Sequence, residues 1–555
     1  MKHSPEADLL QRAPDQGGSV LRRSRSLALS LAAALAAAVL VPVSLSSGSA
    51  LAAGPTTKAK RPTTTTIVRR NVSAVRLAEA KVAQARSGGD QRILADALKD
   101  LGYQLLLAKD YGSSVKILTE AASLYRKLKD DSNLAATLQI QGYASIQGGK
   151  PQDGVAPLID AVALRRKLQA TPAGTLALVE ALQLLALAQR GSGRGQDAIK
   201  VLEEVLTFAA SGTKGIDTAT VSLSIGSIHM DLKNPTAAVR YFERAVAETA
   251  TKPAQQVDAL QALGWALTAV GRPVEGIVAL QRAIKLAGAG IDKNKQGVDL
   301  YSLLANAARE AKQADLEIEA RARLVAYARA GVAGVTLEDA LESLGLTFIF
   351  SGRFADALAP LKELVTLSRK QSASSPRLGL ALHNLGWALS SAKQYPEAIA
   401  ALEEAVKIRT QSKDPDLVVS LRFLGYAMWS TKDDRANAVF GQALELLLAT
   451  PNVAQTDLAQ GYLDVSSSRL FSGQYPEAVQ PATTALDLYT KARGTEEQIA
   501  NANYNLGWAL FSAKKPAEAI PYLTKARDLR VKNNLPGADD AASLLFAATN
   551  QANGT

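Results

Sequence analysis

The chain has 555 residues and a formal net charge of +11, and its sequence contains no Cys. Disulfides, thiolate nucleophiles and Cys-based metal sites are therefore excluded. Hydrophobic residues make up 47% of the chain but aromatic residues only 5%, a composition that favours closely packed helices over a β-sandwich. The three His residues, His3, His229 and His383, are far apart in the sequence, so we predict no metal or cofactor site.

The first segment of the chain has the pattern of an export signal. Arg22, Arg23 and Arg25 precede an apolar run at residues 27–45, and a small-x-small sequence ends at Ala52. We expect residues 1–52 to be cleaved after Ala52, which would make the protein periplasmic or extracellular. The alternative is a retained membrane anchor, because the run approaches the length that spans a bilayer.

Residues 53–70 are rich in Thr, Pro and basic residues and contain no acidic residue. Because the segment has no apolar periodicity, we predict a disordered linker. Its positive charge is suited to contact with an anionic envelope polymer. Nucleic acid is not expected as a partner, since the charge of the chain is spread widely and export removes the protein from the cytoplasm.

From residue 71 onward one pattern recurs with a mean period of about 40.5 residues. The pentapeptide LGWAL occurs in three of the repeats and contains Gly264, Gly386 and Gly507. These glycines have counterparts in every repeat, and we call the eleven positions the reference residues. They are Gly102, Gly142, Ala186, Gly226, Gly264, Ala305, Gly345, Gly386, Gly425, Ser466 and Gly507.

Each repeat has a second half in which small and large apolar residues follow the reference residue at offsets of 12, 16 and 19. After Gly386 these are Ala398, Leu402 and Ala405, and the intervening stretch SAKQYPEA combines a helix stop with a helix start. We therefore predict an all-α fold in which each repeat is a first helix, a short turn and a second helix. The sixth repeat departs from the pattern with Glu317 and Arg321, the ninth is one residue short, and a final unpaired helix is predicted near residues 541–552.

This pattern resembles the tetratricopeptide repeat, and the resemblance covers about residues 90–550. The period is longer than the common one of about 34 residues. In this respect the chain is similar to the long-repeat branch found in kinesin light chains and beside bacterial caspase-like CHAT domains. The resemblance implies a right-handed superhelical solenoid of about eleven repeats over residues 71–555.

The resemblance also implies that the first helices line a concave groove and that the residue after each reference residue faces it. The alternative is that aromatic side chains at these positions fill gaps between helices. The candidate groove residues at this position are Tyr103, Tyr143, Trp265, Trp387, Tyr426 and Trp508; those at other groove positions are Trp429, Tyr504, Phe511, Lys99 and Arg422.

Six residues before the reference residue, five repeats carry an acid: Asp96, Glu180, Asp258, Asp299 and Asp339. These acids are suited to a basic ligand segment. The alternative is that they stabilise the positive end of the helix dipole. A lone His383 in a first helix is expected to be a polar packing residue.

These features predict an exported scaffold for protein–protein interaction that binds a partner peptide or helix in its groove. No enzyme activity is expected, because the sequence lacks a Ser/His/acid spacing and a G-x-S-x-G motif. Two alternatives remain: a repeat protein that binds envelope glycans through its aromatic and basic surface, and an enzyme with an active site in the groove.

Overall fold

The computed structural model describes residues 64–553, of which 82% are helical, and this range contains no strand. The predicted all-α class is confirmed. The predicted export signal and most of the predicted linker lie outside the described residues. By its internal contacts the chain divides into two compact units, one ending at Gln313 and the other beginning at Ala314. We call them the N-terminal unit and the C-terminal unit.

The N-terminal unit contains twelve described α-helices and a 3-10 helix at Gly288–Lys293. Its α-helices are α1 (Thr64–Gly88), α2 (Gln91–Leu107), α3 (Tyr111–Lys127), α4 (Asp131–Gln147), α5 (Pro151–Lys167), α6 (Pro172–Gly191), α7 (Gly195–Ala210), α8 (Thr218–Asp231), α9 (Pro235–Glu248), α10 (Pro253–Ala269), α11 (Pro273–Ala287) and α12 (Lys295–Glu310).

The described part of the C-terminal unit also contains twelve helices. They are α13 (Ala314–Arg329), α14 (Leu337–Phe350), α15 (Phe354–Gln371), α16 (Pro376–Ser391), α17 (Tyr395–Ser412), α18 (Leu417–Ser430), α19 (Ala436–Ala449), α20 (Gln455–Phe471), α21 (Tyr475–Lys491), α22 (Glu496–Ser512), α23 (Pro516–Lys532) and α24 (Ala538–Ala552).

The helices follow the predicted repeats. Each even-numbered helix from α2 to α22 contains one reference residue and is the first helix of its repeat; the odd-numbered helix after it is the second. Helix α1 precedes the first repeat, and α24 is the predicted unpaired helix at the end. The border between the two units falls within the sixth repeat, after α12.

The reference glycines allow the two helices of a repeat to approach closely. A β-carbon added at Gly386 would lie 2.4 Å from Cγ of Leu402, and one at Gly507 would lie 2.6 Å from Cγ of Leu523. Both leucines are fully buried. A larger residue at the reference position would therefore displace the second helix.

The turn between the two helices also repeats. Seven residues after every reference residue, the backbone has a left-handed conformation that ends the first helix. Five repeats have Gly at this position and six have Lys. The positive charge of Lys is stabilised there by the negative end of the helix dipole. The stretch around Gly193, between α6 and α7, is one of these turns.

The structure differs from the predicted start of the helical array. Helix α1 begins at Thr64, inside the range predicted as a disordered linker. No Pro or Gly occurs between Thr64 and Ser87 to stop a helix, and Ala78, Val82 and Ala85 form a buried stripe along α1. This stripe packs on the core around α2 and anchors the C-terminal half of the helix.

The two irregular residues of the sixth repeat satisfy each other. Within α13, Arg321 forms an ion pair with Glu317 at 2.6 Å, and Glu317 also accepts a hydrogen bond from Thr347 at 3.2 Å. A carboxylate and a guanidinium can replace two apolar side chains in a core when each charge has an opposite charge and hydrogen-bond partners nearby.

One described helix, α6, is long and apolar enough to span a membrane by length and composition. Much of it is buried: Leu178, Leu182 and Leu185 pack into the core of the N-terminal unit. This burial is typical of a helix in a protein core.

Candidate functional site

In each unit the first helices pack side by side. Helix α16 contacts α18 and α20 contacts α22, whereas neighbouring second helices make sparser contacts. A stack of helical pairs bends toward the side on which neighbours are closer, so the first helices lie on the inner side. We call the surface that they expose there the inner face.

Two carboxylates on first helices of the N-terminal unit, Asp258 and Glu180, are exposed to solvent. Burial by the surrounding protein nevertheless raises the pKa of each carboxyl.

The acidic series is largely engaged within the protein. Tyr125 donates a hydrogen bond to Asp96, Gln296 donates to Asp258 at 2.8 Å, and Lys295 pairs with Asp299 at 2.8 Å. In the C-terminal unit, Arg377 pairs with Asp339 at 2.8 Å. Glu180 lies in the field of Arg165. Most of these acids therefore connect helices, which leaves less charge for a basic ligand than the sequence suggested.

The first aromatic cluster of the C-terminal unit is built around Trp387. Its ring centroid lies 5.6 Å from that of Phe350 and 5.4 Å from that of Phe423. Trp387 is only 5% exposed, whereas Phe350, which covers it, is 58% exposed. The expectation that Trp387 faces an open groove is thus wrong, because aromatic residues of both neighbouring repeats enclose it.

The second cluster is more open. Phe471 lies between two tryptophans in edge-to-face contact, with its centroid 4.4 Å from Trp429 and 5.0 Å from Trp508. Phe471 is 47% exposed, and both tryptophans are half-buried. We call Trp429, Phe471 and Trp508 the aromatic row. It connects α18, α20 and α22 on the inner face.

The aromatic row is flanked by further candidates. Tyr504 is 6.2 Å from Trp508, and the guanidinium of Arg530 lies 4.4 Å above the Tyr504 ring. Phe511, one turn after Trp508 on α22, is half-buried. These positions extend the apolar surface along α22.

Tyr426 and Arg422 have an internal partner. The Tyr426 hydroxyl donates to Asp464 at 2.5 Å, and Nε of Arg422 donates to the same carboxylate at 2.6 Å. Gln460 adds a third donor at 2.8 Å. Tyr426 is 5% exposed and Asp464 is buried, so the expectation that Tyr426 and Arg422 are free to bind a ligand is wrong.

The candidates of the N-terminal unit are spread over separate helices. Tyr103 on α2 is 37% exposed, and Tyr143 on α4 and Trp265 on α10 are half-buried. Lys99 donates to Asn133 at 2.7 Å and lies 5.5 Å from the centre of the Tyr125 ring. The aromatic residues remain candidates for binding, while the Lys99 ammonium has internal partners.

Phe350 and Phe471 are the inner-face residues that our sequence analysis missed. Each begins the tripeptide Phe-Ser-Gly at the end of a first helix, and each precedes the Trp of an LGWAL repeat by 37 residues. This spacing, a little less than one period, brings a Phe over the Trp of the next repeat. Trp265 has Ile228 at the same spacing instead.

His383 is a packing residue, as expected. Its Nδ1 is hydrogen-bonded to Oγ of Ser420 at 3.1 Å, and the same Oγ accepts a hydrogen bond from Arg409 at 2.8 Å. Burial, with a smaller effect of the Arg409 charge, lowers the pKa of His383 to about 3.

We expect this histidine to make the C-terminal unit sensitive to acid. In the unfolded chain the imidazole of His383 takes up a proton near pH 6.5, and in the folded chain only near pH 3. The contribution of the neutral, buried imidazole to the free energy of unfolding is therefore fully present above pH 6.5 and is lost as the pH falls from 6.5 toward 3. The loss from pH 7.5 to pH 5 should be roughly 2 kcal/mol. Urea unfolding at both pH values, compared with His383→Gln, measures it. A wild type and a variant that lose stability in parallel would contradict the prediction.

The fold defines a class: an all-α solenoid of helical repeats, whose first helices lie side by side. Comparison with known families places the chain within it. A tetratricopeptide-repeat model matches residues 336–411 and 457–530, and a second one matches residues 219–250. These three segments of the chain are therefore similar to tetratricopeptide repeats.

Among curated proteins, the chain is 25% identical over 217 residues to a secreted RxLR effector protein, RXLR-C07, of Plasmopara halstedii. The match covers 38% of this chain and 66% of the effector, slightly less than two thirds of its length.

Three solved structures illustrate the matches of low identity to this chain. A protein described as a kinesin light chain, with nearly identical repeats, from Podosopora anserina is 19% identical, with a TM-score of 0.32 over 35% of this chain and 95% of its own. BtubC from P. vanneervenii is 16% identical, with a TM-score of 0.34 over 40% and 92% of the two chains. The apo form of RapI is 12% identical, with a TM-score of 0.34 over 72% and 98%.

Proposed function

We propose that this chain is an exported scaffold that binds a segment of a partner protein on the inner face of its C-terminal unit, without catalysis. The observation that carries the proposal is the aromatic row, in which Phe471 is 47% exposed between Trp429 and Trp508. Exposed apolar patches mark interaction sites, and aromatic residues often supply most of the binding energy.

Export is supported by the sequence alone. The basic residues before an apolar run, followed by the small-x-small sequence that ends at Ala52, are typical of a cleaved signal. The partner would then be a protein of the envelope or of the extracellular space.

Site-specific cross-linking tests the proposal. A photoreactive phenylalanine replaces Phe471 in the full chain, expressed in its own cells, and illumination should yield one dominant cross-linked protein. The same substitution at Tyr475, which is 37% exposed at the start of α21, is the control. The mass of the recovered native chain also gives its N-terminal residue, which should be near Ala53.

A Trp508→Ala substitution should reduce the yield of the cross-link from position 471 several-fold, because the row loses one of its rings. Equal yields from positions 471 and 475 would refute binding at the row. A native chain that still begins at Met1 would refute cleavage of the signal.

A further inference from the structure

The inner face of the C-terminal unit differs from the rest of the chain in its charge. The exposed and half-buried residues of the aromatic row lie one, four or five positions after a reference residue. In the five repeats with reference residues from Gly345 to Gly507, none of these positions is Asp, Glu, Lys or Arg, although charged residues make up 21% of the chain. The same positions of the N-terminal unit include Arg190, Asp231 and Arg309.

Most charged side chains close to this surface have an internal partner. Asp464 is paired with Arg422 at 2.6 Å, and Arg377 with both Asp339 and Glu342. The Arg530 guanidinium, over the Tyr504 ring, donates to two neutral groups, Asn501 at 3.0 Å and the carbonyl of Gly537 at 2.9 Å. A charged ligand that binds Arg422 or Arg377 would have to break an existing ion pair, which costs more than a new surface ion pair returns.

The polar groups beside the aromatic row are neutral and are also engaged. Asn505 donates to Ser467 at 2.6 Å and accepts from Ser466 at 2.6 Å. Ser430 donates to the carbonyl of Tyr426 at 2.9 Å. The groups left for a ligand are mainly the faces and edges of aromatic rings. Binding to such groups is favourable because it removes apolar surface from water.

We propose that the partner segment bound at the aromatic row is an uncharged, apolar stretch of polypeptide, whose aliphatic or aromatic side chains pack on Phe471 and its two tryptophans. This inference rests on the proposed function and specifies its ligand. Recognition is then hydrophobic, and neither acidic nor basic residues of the partner contribute at the row. Affinity should depend little on ionic strength, since screening weakens only interactions between charges.

Peptide binding to the full chain tests this inference. Three labelled 15-residue peptides of matched length carry Leu and Phe in a neutral background, Glu at the same positions, or Lys at the same positions. We expect the apolar peptide to bind at least tenfold more tightly than either charged one, with less than a twofold change between 50 and 500 mM salt. Phe471→Ser should weaken it at least tenfold, and Tyr475→Ser should not.

The outcomes separate the inference from the proposed function. Preferred binding of a charged peptide, or a large loss of affinity in high salt, overturns the inference. So does preferred binding of a neutral oligosaccharide, included as a fourth ligand. If the segment cross-linked at position 471 in cells is charged, the inference fails and the proposed function stands. If position 471 gives no specific cross-link, the proposed function itself fails.

Discussion

Replacing Trp387 with alanine is expected to lower the free energy of unfolding of the C-terminal unit by about 3–5 kcal/mol, the range for removal of a large aromatic residue from a core. The side chain is 5% exposed and contacts Phe350 and Phe423 in the two neighbouring first helices. Its loss leaves a cavity that connects three repeats. Since a repeat is stabilised by its neighbours, the effect should appear as local unfolding of this region.

Trp508→Ala is the matched comparison, because both tryptophans occupy the same place in an LGWAL sequence. Trp508 is half-buried and is covered by Phe471 on one side, so its removal should cost only about 1–2 kcal/mol. Urea unfolding followed by circular dichroism measures both. Trp387→Phe should retain much of the stability, because it keeps an aromatic ring between Phe350 and Phe423.

A different ranking would change the interpretation of the LGWAL sequence. Equal, small losses would mean that Trp387 is not enclosed in solution. Equal, large losses would mean that Trp508 is a core residue, and the aromatic row would then be packing rather than a binding surface.

The repeat architecture could be predicted because its determinants lie within one repeat. A reference glycine contacts a leucine 16 residues later, as Gly386 contacts Leu402. A left-handed Gly or Lys follows seven residues after the reference position. Such short-range requirements recur in the sequence wherever the structure recurs. The helical pairs and the unpaired last helix follow from them.

The exposure of an individual inner-face residue, and the partner of its side chain, could not be predicted in this way, because both depend on residues of the neighbouring repeats. Trp387 and Trp508 belong to the same pentapeptide, yet only Trp387 has aromatic residues on both sides, at Phe350 and Phe423. Likewise, the partner of Arg422 is Asp464, which lies 42 residues later, in the next repeat. The Phe-Ser-Gly spacing was a usable clue to Phe350 and Phe471, since it repeats at 37 residues before a tryptophan.

The contact among Arg422, Tyr426 and Asp464 provides the second large effect. Burial favours the neutral form of Tyr426 and the Asp464 charge favours it further, so the pKa of its hydroxyl is well above the ordinary value. Burial alone would lower the pKa of Arg422, but the Asp464 carboxylate outweighs it and the pKa is raised. Both groups therefore depend on one carboxylate, which accepts hydrogen bonds from each.

Asp464→Ala should accordingly lower the free energy of unfolding of the C-terminal unit by about 3–5 kcal/mol, because it leaves the Arg422 guanidinium largely buried and without a countercharge. Glu404→Ala is the control. It breaks the exposed pair with Arg369, which connects the second helices of two neighbouring repeats at 2.5 Å. An exposed pair of this kind is worth at most about 1 kcal/mol.

The double variant Arg422→Met with Asp464→Leu tests whether the unpaired charge of Arg422 causes the loss of stability in Asp464→Ala. Removing both charges leaves an apolar pair of similar size, so most of the stability lost in Asp464→Ala should return. If the double variant is as unstable as Asp464→Ala, the loss comes from packing around Asp464 rather than from the unpaired guanidinium. If Asp464→Ala costs no more than Glu404→Ala, Arg422 is solvated in the absence of its partner. The ion pair would then cost little to open, an anionic ligand could compete with Asp464 for Arg422, and the inferred preference for uncharged ligands would have to be abandoned.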